Sequence, residues 1–133
     1  MKLTIYSPER RLFASKEINY VIVNGDEGQI EILPGHAYML GQLEPGAFEY
    51  KLSDSGEIEK GFITYGFFET THEEVTLLAE VLEYSSEINV ERAKTAQLKA
   101  ESALNESFLE EAQFNKYKLK LQRALIRQQI ANR

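Results

Sequence analysis

The hydrophobic period of this chain changes once, near Glu87, and that change limits the folds open to it. Up to about residue 84, apolar residues come in short alternating runs: Leu3 and Ile5, Ile18 to Val23, Ile30 to Leu33, Phe48-Tyr50-Leu52, Phe62-Ile63, Phe67-Phe68 and Val75 to Ala79. Successive side chains of an extended strand point to opposite faces, so this alternation reads as half-buried strands. Within Glu17–Val23 it predicts Ile18, Tyr20 and Ile22 on one face and Val21 and Val23 on the other. Ser7-Pro8, the cluster Asn24 to Gly28, Pro34-Gly35, Pro45-Gly46 and Asp54-Ser55-Gly56 punctuate the runs. Pro presets φ and Gly tolerates φ > 0, which is what tight turns require. No intervening segment has the helical period of a βαβ crossover. Residues 1–84 therefore predict an antiparallel β-sandwich of about ten short strands.

After Glu87 the period is helical. Ala93, Ala96, Ala100 and Ala103 form one stripe, and Phe114, Tyr117, Leu121 and Ala124 form a second. Asn89 is placed to cap the first helix, and Asn105-Glu106-Ser107 is the weakest helical point. A second helix is expected from about Leu109 to Ala131. Residues 88–133 thus predict an antiparallel two-helix hairpin, giving an α+β chain with its strands first. An alanine seam removes little apolar surface from water, so the hairpin is expected to be marginal. A turn near Ser107 would set residues whose numbers sum to about 215 level with each other. Arg92 would then face Arg123, and Asn89 would lie near Ile126 and Arg127. Three guanidinium groups gathered in this way would favour an anion, since Arg binds phosphate bidentately. Three arginines on a solvated face are the alternative.

Charge divides at the same place. Residues 1–87 carry 6 Lys and Arg against 16 Asp and Glu, and residues 88–133 carry 9 against 5. From Lys116 onward there are six cations and no acid, which suits a tail that meets something anionic, the alternative being attraction to the acidic body or plain solvation. The absence of cysteine excludes disulfides and thiolate metal sites. No apolar run approaches a membrane span, and MKLTIYSPE turns polar too early for a signal peptide. The two histidines, His36 and His72, fall in different loops without metal-ligand spacing. There is no G-x-S-x-G and no phosphate-cradling glycine loop, so no catalytic residue and no metal ligand is assigned. The basic helix lacks interleaved stacking rings, which argues against nucleic acid.

The stretch Gly28–Leu40, GQIEILPGHAYML, runs strand, corner, strand. Together with IYSPERRLF, ITYGFFE, VTLLAE and INVERAKTA in order, it resembles the epsilon subunits of F-type ATP synthases over essentially the whole chain. Tyr65-Gly66 stands where that family usually has Gly-Gly. The resemblance implies a sandwich fixed to the gamma subunit and the c-ring, rotating with the central stalk and doing no bond chemistry itself. It places gamma and c-ring docking on Glu31, Ile32, Leu33, Pro34, Gly35, His36, Ala37 and Leu40. It further implies a mobile tail that reaches the alpha and beta subunits of the catalytic head and restrains ATP hydrolysis. No cofactor is required. In some members ATP is a regulatory ligand, held by an I/L-D-x-x-R-A motif with two second-helix arginines. The matching residues here are Glu83, Asn89, Arg92, Ala93, Arg123 and Arg127, with Asn89 where the family has Asp. Such a subunit sits at the cytoplasmic face of the bacterial inner membrane, peripheral to it through the complex. The runner-up is a free-standing sandwich that presents a basic hairpin to an anionic partner.

Overall fold

The computed structural model describes residues 1–8, 11–105 and 109–131, with the backbone alone at 11–14. Among these residues are nine strands and two α-helices: β1 Lys2–Ser7, β2 Arg11–Gly25, β3 Gly28–Ile32, β4 Met39–Leu43, β5 Gly46–Leu52, β6 Ile58–Ile63, β7 Gly66–Thr70, β8 Glu74–Ala79, β9 Leu82–Tyr84, α1 Val90–Leu104 and α2 Glu111–Ala131. The chain divides into two compact units, Met1–Tyr84 and Ser85–Arg133. The first is the expected β-sandwich and the second the expected helical pair.

In the sandwich, strands run in the order β1-β8-β7-β4-β2-β5-β6-β9, with β3 on β2 and β1 also paired to β2. Every pairing is antiparallel except β1 with β8. The strands are not all short. β2 has 15 residues and begins well before the Glu17–Val23 run read from the sequence. Its register against β5 shifts between Ile18 and Tyr20. An extra residue at such a bulge reverses the side-chain alternation. Ile18 therefore shares the buried face with Val21 and Val23, while Tyr20 and Ile22 are only half-buried. That corrects the expected grouping of Ile18 with Tyr20 and Ile22. Leu3, Ile5, Phe48, Tyr50, Phe68, Val75 and Leu77 close the same core.

The last strand is tied down by its final residue. Tyr84 Oη lies 3.0 Å from Tyr50 Oη, and its ring meets Phe48 edge-on at 5.7 Å. Burial, followed by this hydroxyl contact, pushes the Tyr50 hydroxyl well above the usual phenol range. Gly66 shows why one family glycine persists, since a Cβ there would lie 1.7 Å from the Leu78 carbonyl oxygen. Tyr65 stands where its glycine neighbour would be, exposed, with its carbonyl accepting from Glu80 N–H at 3.0 Å. The altered pair thus leaves the strand connection intact.

In the helical unit, Asn89 caps α1 as expected, its Oδ1 accepting from the Arg92 backbone N–H at 3.1 Å. Ala93 and Ala100 of α1 and Ala124 and Ile130 of α2 are buried. Asn105 caps the C-terminus of α1, and the rest of the expected turn, Glu106 and Ser107, lies outside the described residues. The register differs from the sum of 215. Gln128 Nε2 donates to Gln97 Oε1 at 2.7 Å, and Gln97 Nε2 donates to Glu101 Oε1 at 2.9 Å. Residues summing to about 225 are therefore level. A register of 215 would set Ala93 and Ala100 against polar Gln122 and Asn115, whereas the observed one brings Ala100 beside Ala124. Matching small residues outweighs a symmetric turn. As a consequence, α2 begins about 15 Å beyond the end of α1 at 1.5 Å per residue. Residues 111–116, including Phe114, are accordingly all exposed.

Two expectations follow. Tyr20 Oη donates to Glu49 Oε2 at 2.7 Å, and this bond, then burial and the charges of Glu49 and Glu31, push its pKa from 10.0 up to about 12. A raised pKa stabilises the fold below pH 10, and that contribution fades as pH rises toward 12. Tyr20→Phe should be less stable by about 1 kcal/mol at neutral pH. Denaturant titrations of both chains should show the gap constant to about pH 10 and narrowing toward pH 12. In the hairpin, a double-mutant cycle on Gln97→Ala and Gln128→Ala should give a coupling of about 0.5–1 kcal/mol, and one on Arg92→Ala and Arg123→Ala none.

Candidate functional site

Two surfaces stand out, one on each unit. On the sandwich, the chain leaves β3 at Ile32 and turns at Pro34-Gly35. His36 N–H donates to the Leu33 carbonyl at 3.2 Å, and Gly35 sits at φ +82°, a conformation that favours glycine. The loop is pinned from outside itself. Gly35 N–H donates to the His72 carbonyl at 3.1 Å, and Thr70 Oγ1 donates to the Ala37 carbonyl at 2.8 Å. His36 turns its Nδ1 to the Ala37 carbonyl at 2.9 Å. The backbone of the corner is therefore held in place.

Of the expected docking residues, Leu33, Pro34, Gly35, Ala37 and Leu40 are exposed, as is Glu31 on β3, and His36 is half-buried. Ile32 is not available for docking. It is 0% exposed and belongs to the core, because it alternates with Glu31 on the inward face of β3. Tyr38, absent from the sequence-based set, is 70% exposed, the most of any large apolar residue here.

The loop continues into an apolar strip on the outer face of the sheet. Cross-strand register sets Tyr6 beside Leu78, and Leu78 beside Phe67. Leu40 is the diagonal neighbour of Phe67, since Phe67 pairs with Gln42 and Leu40 with Glu69. All four are exposed, Phe67 by 51% and Leu40 by 67%. A shallow hollow of about 460 Å³ lies at the far end, walled by Tyr6, Pro8, Tyr65 and Leu78. Uncovered apolar rows of this kind mark contact surfaces. The signal was present in GFFET and VTLLA, where Phe67 and Leu78 occupy outward positions that polar residues usually take. It could be read only once the inward face was known.

On the helical unit, the seam has two unlike flanks. One carries the amide chain of Gln128, Gln97 and Glu101. The other is a cleft of about 590 Å³ whose rim carries Lys99 from α1 and Lys120, Arg123 and Arg127 from α2. Ala96, Ala100 and Ala103 form its floor, and Tyr117 closes one end. Lys120 Nζ stands 5.6 Å from the centre of the Tyr117 ring, within cation–π range. Arg123 Nε is buried without a hydrogen-bond partner among the described residues.

The expected nucleotide residues are thus only partly brought together. Arg123 and Arg127 share the cleft. Arg92 is exposed and stands about 9 Å along the axis from the level of Arg127 and about 15 Å from that of Arg123. Asn89 has its side-chain oxygen engaged in the cap, Ala93 is buried in the seam, and Glu83 is a half-buried residue of β9 paired with Phe62. Lys99, Lys120 and Tyr117 were missed because their place depends on the register. Among the described residues no three His, Asp or Glu side chains gather as a metal site, and no helix is long and apolar enough to cross a membrane.

Residues 1–85 match the family described as ATP synthase, Delta/Epsilon chain, beta-sandwich domain, and residues 86–132 match its long alpha-helix domain. The ATP synthase epsilon chain of Geobacter sulfurreducens is 35% identical over 133 residues, covering 100% of this chain and 94% of that one. The epsilon chain of Trichlorobacter lovleyi is 37% identical over the same coverage. Among solved structures, a chain of the Euglena gracilis mitochondrial ATP synthase superposes with a TM-score of 0.82 at 21% identity, covering 92% of this chain and 76% of that one. A chain of the Tetrahymena thermophila central stalk and c-ring gives 0.66 at 14% identity, covering 98% and 96%. These two likenesses bear on the fold. The matches of sandwich and helical pair, in order and over the full length, show that this chain belongs to the delta/epsilon chain family of ATP synthases.

Proposed function

We propose that this chain is the epsilon subunit of a bacterial, proton- or sodium-translocating F-type ATP synthase. It turns with the central stalk at the cytoplasmic face of the inner membrane, coupling c-ring rotation to the catalytic head through the gamma subunit. It performs no bond chemistry. The observation that carries this reading is the uncovered apolar strip Tyr6, Leu78, Phe67 and Leu40 running into the pinned corner with Leu33 and Tyr38. A surface of that composition fits a permanent partner, because interface cores are apolar and rich in aromatic residues. Its extent across β1, β8, β7 and β4 suits the gamma subunit, and the corner at Pro34-Gly35 suits the c-ring.

The hairpin supplies regulation. Its seam is built mainly from alanine, so opening it exposes little apolar area. Once open, the basic α2 can reach acidic segments of the alpha and beta subunits and block hydrolytic rotation. ATP, meeting Arg123 and Arg127, favours the closed form by binding it better than the open one.

Co-expression with the gamma subunit tests the docking face. The parent chain should co-purify with gamma. Phe67→Thr combined with Leu78→Thr should lose gamma while its own unfolding free energy stays within about 0.5 kcal/mol, since a cross-strand Thr pair is tolerated on an exposed face. Retention of gamma by that variant would move the docking face elsewhere. For the tail, Arg123→Glu with Arg127→Glu should raise the hydrolysis rate of the assembled enzyme several-fold. An unchanged rate would count against the tail as the brake.

A further inference from the structure

The hollow at the far end of the apolar strip differs from the rest of it in carrying a charge. Along β8, Thr76 and Leu78 alternate with buried Val75, Leu77 and Ala79, and Glu80 continues the outward phase one residue past the strand. Its backbone is held on both sides. Glu80 N–H donates to the Tyr65 carbonyl at 3.0 Å, and the Glu80 carbonyl accepts from Ser7 Oγ at 3.4 Å. Glu80 and Tyr65 therefore stand level on the outer face, next to the pair Leu78 and Phe67. Between the two pairs Gly66 carries no side chain and Ala79 is buried, which is what leaves the hollow. The Tyr6 and Tyr65 rings wall it, exposed by 43% and 38%. Glu80 is exposed, and its carboxylate has no ion-pair partner among the described residues.

We infer that the hollow receives an arginine side chain of the gamma subunit, its alkyl stem on Leu78 between the tyrosine rings and its guanidinium on the Glu80 carboxylate. This rests on the docking of gamma to the strip and names what gamma presents there. A partner that covers Tyr6, Leu78 and Phe67 also takes Glu80 out of water. A carboxylate desolvated without a cation opposes association, so a purely apolar anchor does not fit. A long cationic side chain does, because its stem covers apolar surface while its head meets the charge. Arginine suits the site better than lysine. Its planar guanidinium stacks on tyrosine faces, binds a carboxylate through two parallel N–H donors and is the more weakly hydrated. A free small molecule would lie mostly in water in so shallow a hollow, whereas sites for such ligands enclose most of their surface. The wider charge agrees, since residues 1–87 carry 16 Asp and Glu against 6 Lys and Arg and so complement a basic partner surface.

Dissociation of the purified complex with gamma, followed on dilution, tests the pairing. Glu80→Gln keeps the shape and removes the charge, and it should speed dissociation by about tenfold, as should Tyr65→Ala. Tyr65→Phe keeps the ring and should stay within about threefold of the parent. The parent complex should dissociate faster as salt rises, and Glu80→Gln should flatten that dependence. Replacing the arginines of gamma one at a time should find one whose alanine variant adds nothing to the effect of Glu80→Gln. Dissociation of Glu80→Gln at the parent's rate in every salt concentration would overturn the inference, as would coupling to no arginine, and in both cases docking on the strip would stand. Because Glu80 is exposed, Glu80→Gln should unfold at the parent's midpoint. A lower midpoint would assign the charge to the fold and equally overturn the inference. Retention of gamma by Phe67→Thr with Leu78→Thr would remove the docking reading and the arginine site with it.

Discussion

The sandwich depends on the bulge in β2 between Ile18 and Tyr20. β2 touches more strands than any other, pairing with β1, β3, β4 and β5. A strand of 15 residues with unbroken alternation would carry one face toward the core at one end and keep that phase throughout. The shift lets Ile18 pack inward near β5 while Val21 and Val23 pack inward near β3. Each of these side chains is worth about 1.5–3 kcal/mol when fully buried, so the phase change keeps a sizeable share of the core. The apolar strip follows instead from plain alternation on the other strands. Once β1, β7 and β8 direct Ile5, Phe68 and Leu77 inward, their neighbours Tyr6, Phe67 and Leu78 have no choice but to face out.

The two units are stabilised on different scales. The sandwich buries Phe48, Tyr50 and Phe68 among branched aliphatics. The helical pair buries Ala93, Ala100 and Ala124, with an amide hydrogen bond across the seam. A net hydrogen bond contributes about 0.5–1.5 kcal/mol, comparable to the apolar gain of a methyl or two. The amide chain therefore has a large say in the register even though it adds little to overall stability. It fits one alignment of the helices and is broken in the next, which is how a part-buried polar pair favours an arrangement.

That balance explains what could be read from the sequence. The switch of period near Glu87, the turn dipeptides, the Asn89 cap and the alanine stripe are local signals, and all of them describe the structure. Three features needed information that no short window holds. The bulge in β2 depends on partners on both sides of the strand. Ile32 read as surface because its loop is surface, yet alternation with Glu31 sends it inward. The hairpin register was placed by assuming a symmetric turn, and pairing of alanine with alanine and of Gln97 with Gln128 overrode it. An error of ten residues in the sum is an error of about 15 Å between Arg92 and Arg123, which decides whether they can share a ligand.

The register also ties the cleft to the closed hairpin. Lys99 comes from α1 and the other three cations from α2, so the cleft exists only while the helices are paired. An anion held by both helices binds the paired form and loses one wall on opening, which is the differential affinity any population shift requires. Ligand at about one hundred times its dissociation constant stabilises the bound form by about 2.7 kcal/mol. Set against a large aromatic core, that energy would change little. Set against a seam of three alanines and an amide bond, it is of the same order as the pairing itself. The small side chains that make the seam weak therefore bring its pairing within reach of an energy of that size.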